Sequence, residues 1–307
     1  MKKFILKVLL YLFSLGIVFL LMEYRIGKVP NTYSYKRQCL EQQLDSIQVL
    51  VLGSSRSLYG IDPAYFTLHG FNLGNVSQSI YYDTHLTLKY LDQMPKLKYV
   101  LINLSYTSLG ASLGDGIEAW REYYYAQFWD ITSPDLKQWD IKRYSKTYLY
   151  PINLLPGLLV KGSKAGLING MNRNGYSILD TTKNYMSISD SLGKERVVFN
   201  EKNYKAYHQA ENIANLEGML AALRKRNVQP VFIYPPALST FYKYVSPTIE
   251  QENERMLRSI CDKYNAGFYN YFRDSRFVER DFNDNDHLNF LGAAKFSKII
   301  NDEILKK

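Results

Sequence analysis

Residues 46–56 read SIQVLVLGSSR, an apolar run that ends abruptly in a glycine, two serines and an arginine. Val49, Leu50, Val51 and Leu52 are continuous rather than alternating, the pattern of a strand covered on both faces in a parallel sheet. Gly53 permits a tight turn. Ser54, Ser55, Arg56 and Ser57 then fall at the carboxyl end of that strand, where open parallel sheets bind their ligands. Taken alone, GSSRS reads more simply as a polar turn that caps the next helix. The far end of the chain bears on the choice.

Outward from this turn, Asp62 and Pro63 in IDPAYF mark a helix start, with Asp62 at the cap. A strand is predicted near Phe71–Leu73, a polar turn GNVSQS at 74–79, an amphipathic helix from Ile80 through Leu91, and a strand YVLINL at 99–104. Further on, a helix over 207–226 carries Ile213, Leu216, Leu220 and Leu223 as its apolar stripe. Strand PVFIY at 230–234, a helix over 247–263 and a last short strand in AGFYNYF follow. The alternation predicts an α/β fold, a three-layer α/β/α sandwich about a central parallel sheet. Residues 110–203 lose this rhythm in stretches such as AWREYYYAQFW and KTYLYPINLLPGLL. They are expected to form an insertion, helical in pieces, that lies over the active site and shapes substrate choice.

The chain begins MKKFILKVLLYLFSLGIVFLLMEYR, in which Val8–Met22 is apolar apart from Ser14 and Gly16. With Phe4–Leu6 the run is long enough to span a bilayer. Lys2, Lys3 and Lys7 place the N-terminus in the cytoplasm and the rest outside, an asymmetry that Arg25 and Lys28 reduce. A cleaved signal peptide competes, but the run ends in LLMEYRIG with no small-x-small pair, so an uncleaved single-pass anchor is expected. The expected organisation is an anchor at 1–28, a connector at 29–45 with a short helix around Gln38–Leu44, and one domain at 46–307 carrying the insertion at about 110–203. A chain of 307 residues suffices for one large domain plus an anchor, not for two.

The formal charge of +9 is concentrated at the anchor: residues 1–28 hold five Lys/Arg and one Glu, hence +4, which leaves +5 dispersed with no basic run beyond RKR at 224–226. Nucleic-acid binding is not expected. Tyrosine is frequent, at 27, which suits glycan or interface contacts and equally suits core packing. Cys39 and Cys261 stand far apart with no metal spacing, and a disulfide and two buried thiols both remain open.

Near the C-terminus, DFNDNDHLNFLGAAKFSKII places Asp284 three residues before His287, ahead of a helix that Asn289 would cap. A hydroxyl nucleophile needs a general base, and the imidazole needs an acceptor on its other nitrogen. His287 and Asp284 supply both. An acidic solvated turn with an incidental histidine is the plainer alternative. A metal site built from Asp281, Asp284, Asp286 and His287 is a third, disfavoured by its single histidine among flexible carboxylates.

A serine on the turn after the first strand, with D-x-x-H before the last helix, resembles the SGNH (GDSL-type) hydrolase superfamily. The G-S-S-R turn and the DHLNFLGAAKF ending most resemble its membrane-anchored envelope branch, relatives of the teichoic acid D-alanyl transfer protein and of the alginate O-acetylation proteins. The resemblance covers about residues 46–109 and 205–301 and implies a flavodoxin-like sheet. It makes Ser55 the nucleophile, with Ser54 replacing the usual aspartate, and Asp284 and His287 the D-x-x-H pair. Backbone N–H groups of Ser55 and of Ser77 or nearby Gly74 would form the oxyanion hole. Thr107 stands near the position where the family usually has an asparagine, and Asn103 lies within the preceding strand. Arg56 either binds an anionic substrate group or pairs with a carboxylate of the fold.

The implied function is a serine esterase or O-acyltransferase acting on acyl esters of an extracytoplasmic envelope polysaccharide or other acylated glycan, with no cofactor and no metal. A transferase would receive its acyl groups through a multi-spanning membrane O-acyltransferase. The competing expectation is a catalytically silent envelope protein that keeps the fold and binds a glycan or a protein partner.

Overall fold

Strand β1, Val49–Gly53, is buried along its whole length and sits inside a five-stranded sheet. Its partners are β2, Gly70–Asn72, on one side and β3, Tyr99–Asn103, on the other; β4, Gln229–Tyr234, and β5, Gly267–Asn270, extend the sheet beyond β3. All four pairings are parallel, in the order β2-β1-β3-β4-β5. The chain therefore leaves β1 to one side and returns to the other, and β1 lies at the switch point where ligand crevices open in such sheets. The computed structural model describes residues 1–162, 168, 170–179 and 188–306. The expected insertion includes 163–167, 169 and 180–187, which lie outside the described residues.

Alternation along each strand builds two cores. Val49, Val51, Leu101, Val231 and Ile233 cluster with Ile61, Phe296 and Ile300, on the side of α3, Ser55–Gly60, and α11, Phe290–Ile300. The intervening Leu50, Leu52, Val100, Ile102 and Phe232 are equally buried and face the other way. That side carries α4, Ile80–Tyr90, α8, Gln209–Lys225, and α10, Pro247–Tyr264. The result is the α/β/α sandwich that the strand-helix rhythm predicts. Of the apolar stripe read at 207–226, Leu216, Leu220 and Leu223 lie on the buried face of α8 together with Met219, all at most 1% exposed, while Ile213 is half-buried.

Local expectations hold with shifts of a few residues. Asp62 does cap, its side chain accepting the Ala64 N–H, but the element it starts is a single 3₁₀ turn at Pro63–Tyr65. The connector helix α2 runs over Thr32–Glu41, earlier than the Gln38–Leu44 expected. Asn289 caps α11, accepting from the N–H groups of Leu291 and Gly292.

The described chain forms two compact units. One, Lys36–Trp120 with Gly170–Lys307, contains the sheet. The other, Met1–Tyr35 with Arg121–Asn169, contains α1, Lys2–Gly27, α5, Arg121–Trp129, and α6, Leu155–Lys161. Helix α1 is long and apolar enough to cross a membrane. In that unit Tyr33 packs on Tyr124 and Tyr125 at ring-centroid distances of 5.1 and 5.2 Å, and Ile26, Val29 and Leu158 form a small core. The insertion contributes to the sheet unit as well, through α7, Asp190–Lys202. Cys39 and Cys261 are separate, buried thiols.

Candidate active site

Gly53 closes β1 with φ +117, and a Cβ there would lie 2.3 Å from the Asn103 carbonyl oxygen, so only glycine fits. Its N–H donates to Asp83 Oδ1 at 2.9 Å. Ser54 occupies the N-cap position of α3 yet makes no capping hydrogen bond, so the turn is not there to cap. Ser55, the next residue, points its hydroxyl at His287, with Oγ 2.8 Å from Nε2. Ser57 turns back into the fold, its hydroxyl donating to the Leu52 carbonyl at 2.7 Å.

His287 comes from the turn before α11. Its Nδ1 lies 2.8 Å from Asp284 Oδ2, and its backbone N–H donates to Asp284 Oδ1 at 2.7 Å. The same oxygen accepts the Asp286 N–H at 2.9 Å, so one carboxylate both folds the D-x-x-H turn and orients the ring. With Nδ1–H donating to Asp284, Nε2 keeps its lone pair for the Ser55 hydroxyl. The three side chains that the sequence singled out thus meet in one line of hydrogen bonds.

Asp286 was legible only as one of several acids, and the structure gives it a distinct place. Arg56 donates to its Oδ2 through Nε at 3.2 Å and Nη2 at 2.8 Å, while Arg196 Nε and His287 Nδ1 each lie 3.4 Å from Oδ1. Burial alone would raise the Asp286 pKa, but the charges of His287, Arg56 and Arg196 hold it well below the usual carboxylate range. For His287, burial works to lower the pKa. The charges of Asp286 and Asp284 and the Asp284 hydrogen bond outweigh it, so the value is raised, with Arg196 pulling the other way. Arg56 is therefore committed to a carboxylate of the fold. Its guanidinium also lies 5.1 Å from the Phe241 ring centroid.

Asp284, Asp286 and His287 are close enough together to share a cation, whereas Asp281 accepts from Lys295 Nζ at 2.7 Å and from the Val278 N–H instead. The cluster's polar atoms are already engaged by Ser55, Arg56 and Arg196. Two guanidinium groups beside it disfavour a further cation.

The expected oxyanion donors separate. The Gly74 N–H donates to Asn72 Oδ1 at 2.9 Å, and its carbonyl accepts from the buried Lys36 Nζ, so Gly74 is spent inside the fold. The Thr107 hydroxyl pairs with Ser105 Oγ at 3.1 Å. Ser77 has a left-handed backbone, φ +56, and its N–H takes no partner among the described residues. The sequence reading gave Asn103 no firm role. It pairs in register with Gly53, and its buried Nδ2 has no partner among the described residues. With Gly53, Ser54, Gln78 and Asp83 it lines a cavity of about 30 Å³ beneath the serine turn.

Asp83 was missed altogether. It is an acid on the buried face of an otherwise amphipathic helix, which is the signal that would have found it. Burial pushes its carboxyl up to about 7, against the lowering effect of hydrogen bonds from Gln78 and the Gly53 N–H. Burial likewise brings the Lys36 ammonium down to about 7.

Residues 171–302 match the model of the family described as DltD protein. Over that stretch the chain is similar to the DltD family. The match spans less than half of the chain and takes in Arg196, Asp284, Asp286 and His287, but not Ser55. No curated protein matches the chain in sequence. Among solved structures it is similar to a proposed acylhydrolase of Bacteroides fragilis, at 11% identity and TM-score 0.42, over 89% of this chain and 94% of that one. It is also similar to a proposed platelet activating factor protein of Streptococcus pneumonia, at 12% identity and TM-score 0.44, over 96% and 98% of the two chains. A GDSL-like lipase of Bacteroides thetaiotaomicron matches at 10% identity and TM-score 0.41, over 90% and 99%.

Proposed function

We propose that this DltD relative is a membrane-anchored serine esterase or O-acyltransferase that handles acyl esters of an envelope glycan outside the cytoplasm. One observation carries the reading: Ser55 Oγ lies 2.8 Å from His287 Nε2, and His287 Nδ1 lies 2.8 Å from Asp284 Oδ2, at the carboxyl edge of a parallel sheet. Ser55 Oγ attacks the ester carbonyl and passes its proton to His287 Nε2, while Asp284 holds Nδ1–H and stabilises the imidazolium. The leaving alkoxide takes that proton, which leaves an acyl ester on Ser55. A second hydroxyl, from water or a sugar, then gives its proton to Nε2 and bonds to the acyl carbon, the Ser55 Oγ–acyl bond breaks, and Oγ takes the proton back from Nε2. Water makes the protein an esterase, and a sugar makes it a transferase.

The negative charge that develops on the carbonyl oxygen needs donors aimed at it. The N–H groups of Ser55 and Ser77 are assigned that role, with Asn103 Nδ2 a further donor in place of Thr107, whose hydroxyl is engaged. The organisation that accompanies this reading is an α1 anchor with its N-terminus in the cytoplasm, and acyl groups delivered by a multi-spanning O-acyltransferase.

The test is mass spectrometry of the protein after exposure to a fluorophosphonate. The wild type and Ser54→Ala should carry one adduct, and Ser55→Ala none. Absence of any adduct in the folded wild type would instead favour a silent glycan- or protein-binding member of the fold.

A further inference from the structure

In the unit formed by Met1–Tyr35 and Arg121–Asn169, several large apolar side chains stand open: Trp139, Tyr144, Tyr148, Ile152, Leu154 and Val160. Ile152 and Val160 are 84% and 86% exposed. A single exposed apolar residue is ordinary on a soluble surface, but seven over residues 139–160, Ile141 included, call for a partner.

Their place along α1 says which partner. Tyr148 packs on Phe19, with ring centroids 6.3 Å apart, and Phe19 lies inside the apolar run that ends at Met22. At a rise of 1.5 Å per residue, Phe19 is about 4.5 Å deeper than the end of that run. A turn further along, the Glu23 carboxylate accepts the N–H groups of Lys146 at 2.9 Å and Thr147 at 3.0 Å, and the Ser145 hydroxyl. Beyond it, Ile26 and Val29 pack on Leu158, with Tyr150, Leu155 and Leu159 around them. The segment 145–159 therefore runs beside the last two turns of a helix whose own apolar stretch has no buried residue. Whatever solvates α1 at Phe19 also solvates Tyr148.

We propose that residues 139–160 form an interfacial attachment to the lipid bilayer, lying beside α1 at the boundary between headgroups and acyl chains. The proposal rests on the anchor reading of α1 above. Tyr and Trp suit that boundary because one end of each is apolar and the other polar. Lys142, Arg143, Lys146 and Lys161 intersperse or flank the apolar residues and match anionic headgroups. The hydrogen bonds to Glu23 also make sense there, since a carboxylate at the edge of the hydrocarbon has few waters and must be satisfied by protein donors.

The test uses the full chain in nanodiscs of phosphatidylcholine and phosphatidylglycerol, with Cys39 and Cys261 replaced by alanine. Nitroxide labels are placed singly at Ile152→Cys, Val160→Cys and, within the anchor, Leu12→Cys, and their depth is read from collision with oxygen and with a water-soluble nickel complex. The labels at 152 and 160 should lose most of their nickel collisions and sit at the headgroup–acyl boundary, with the Leu12 label in the core. If 152 and 160 collide with nickel as freely as a label in buffer while Leu12 stays in the core, the proposal is wrong and the anchor stands. A water-exposed Leu12 label would sink the anchor reading, and this proposal with it. Protection of 152 and 160 that requires a co-reconstituted multi-spanning protein would make the surface a protein interface and overturn the lipid assignment.

Discussion

Arg56 donates through Nε and Nη2 to a single oxygen of Asp286, at 3.2 and 2.8 Å, and both side chains are buried. The pair joins α3, which carries Ser55, to the turn that carries His287, across 230 positions of sequence. It therefore sets the distance between Ser55 and His287. Arg56→Met should leave the Asp286 charge buried beside only the more distant Arg196 and His287 and cost about 3–5 kcal/mol, read as a fall in the urea midpoint. Arg56→Met with Asp286→Leu should recover much of that loss, because the uncompensated charge is gone. An unchanged midpoint with a raised KM would instead make Arg56 a substrate ligand.

A second prediction concerns pH. His287 must be neutral to accept the Ser55 proton, and its pKa is raised above 6.5, so kcat/KM for an activated ester should rise with pH through a limb above 6.5. The groups facing the ring are Asp284 and Asp286 on its own turn, Ser55 and the Tyr59 ring from α3, and Arg196 from α7. Asp286→Asn removes a negative charge and should move the limb to lower pH. Arg196→Gln removes a positive charge and should move it to higher pH. A purely structural role for either residue would lower activity without moving the limb. The linked stability has the sign of a raised base: it is fully present below the unfolded pKa of about 6.5 and is lost as pH rises through the folded value.

What the sequence disclosed follows from how local each signal is. The strand-glycine-serine turn and the Asp284-x-x-His287 spacing are written within a few residues, and both ends of the resulting hydrogen-bond line could be named in advance. Arg56 could be singled out but not assigned, because its partner is 230 residues away. Arg196 and Asp83 were invisible for a related reason: a charged residue on a helix reads as surface until packing shows it facing inward. Gly74 failed in the opposite way. Its place after β2 suggested a free N–H, and the Asn72 side chain folding back over the turn had already taken it.

Asp83 gives a third prediction. Its carboxyl is pushed up to about 7 by burial, against about 3.9 in an unfolded chain. With a raised pKa, its contribution to stability is fully present below about pH 4 and is lost as pH rises through 7. Asp83→Asn keeps an oxygen for the Gly53 N–H and the Gln78 amide without the buried charge. The variant should lose much of the wild type's fall in urea midpoint between pH 5 and pH 8, and should be the more stable protein at pH 8. A wild type whose midpoint is flat over that range would show that Asp83 ionises without cost.

The last prediction tests how the insertion reaches the active site. Gly193 on α7 sits so close to its neighbours that a Cβ would lie 1.8 Å from the Thr240 carbonyl oxygen and 3.1 Å from Asn285 Nδ2. Asn285, within the D-x-x-H turn, donates through the same Nδ2 to the Ser189 carbonyl at 2.9 Å and to Thr240 Oγ1 at 2.6 Å. The start of α7, the short helix α9, Ser239–Tyr242, and the active-site turn are thereby joined at backbone distance. Gly193→Ala must push α7 outward, and one turn along that helix is Arg196. The variant should unfold at lower temperature and move the kcat/KM limb in the same direction as Arg196→Gln. The double variant should move it no further, because both changes remove the same charge from Asp286. Gly218→Ala on α8, where an added Cβ meets nothing within 4 Å, is the control and should leave the limb unmoved with stability equal or higher. A Gly193→Ala protein with wild-type stability and an unmoved limb would mean that α7 is not held against the site by this contact.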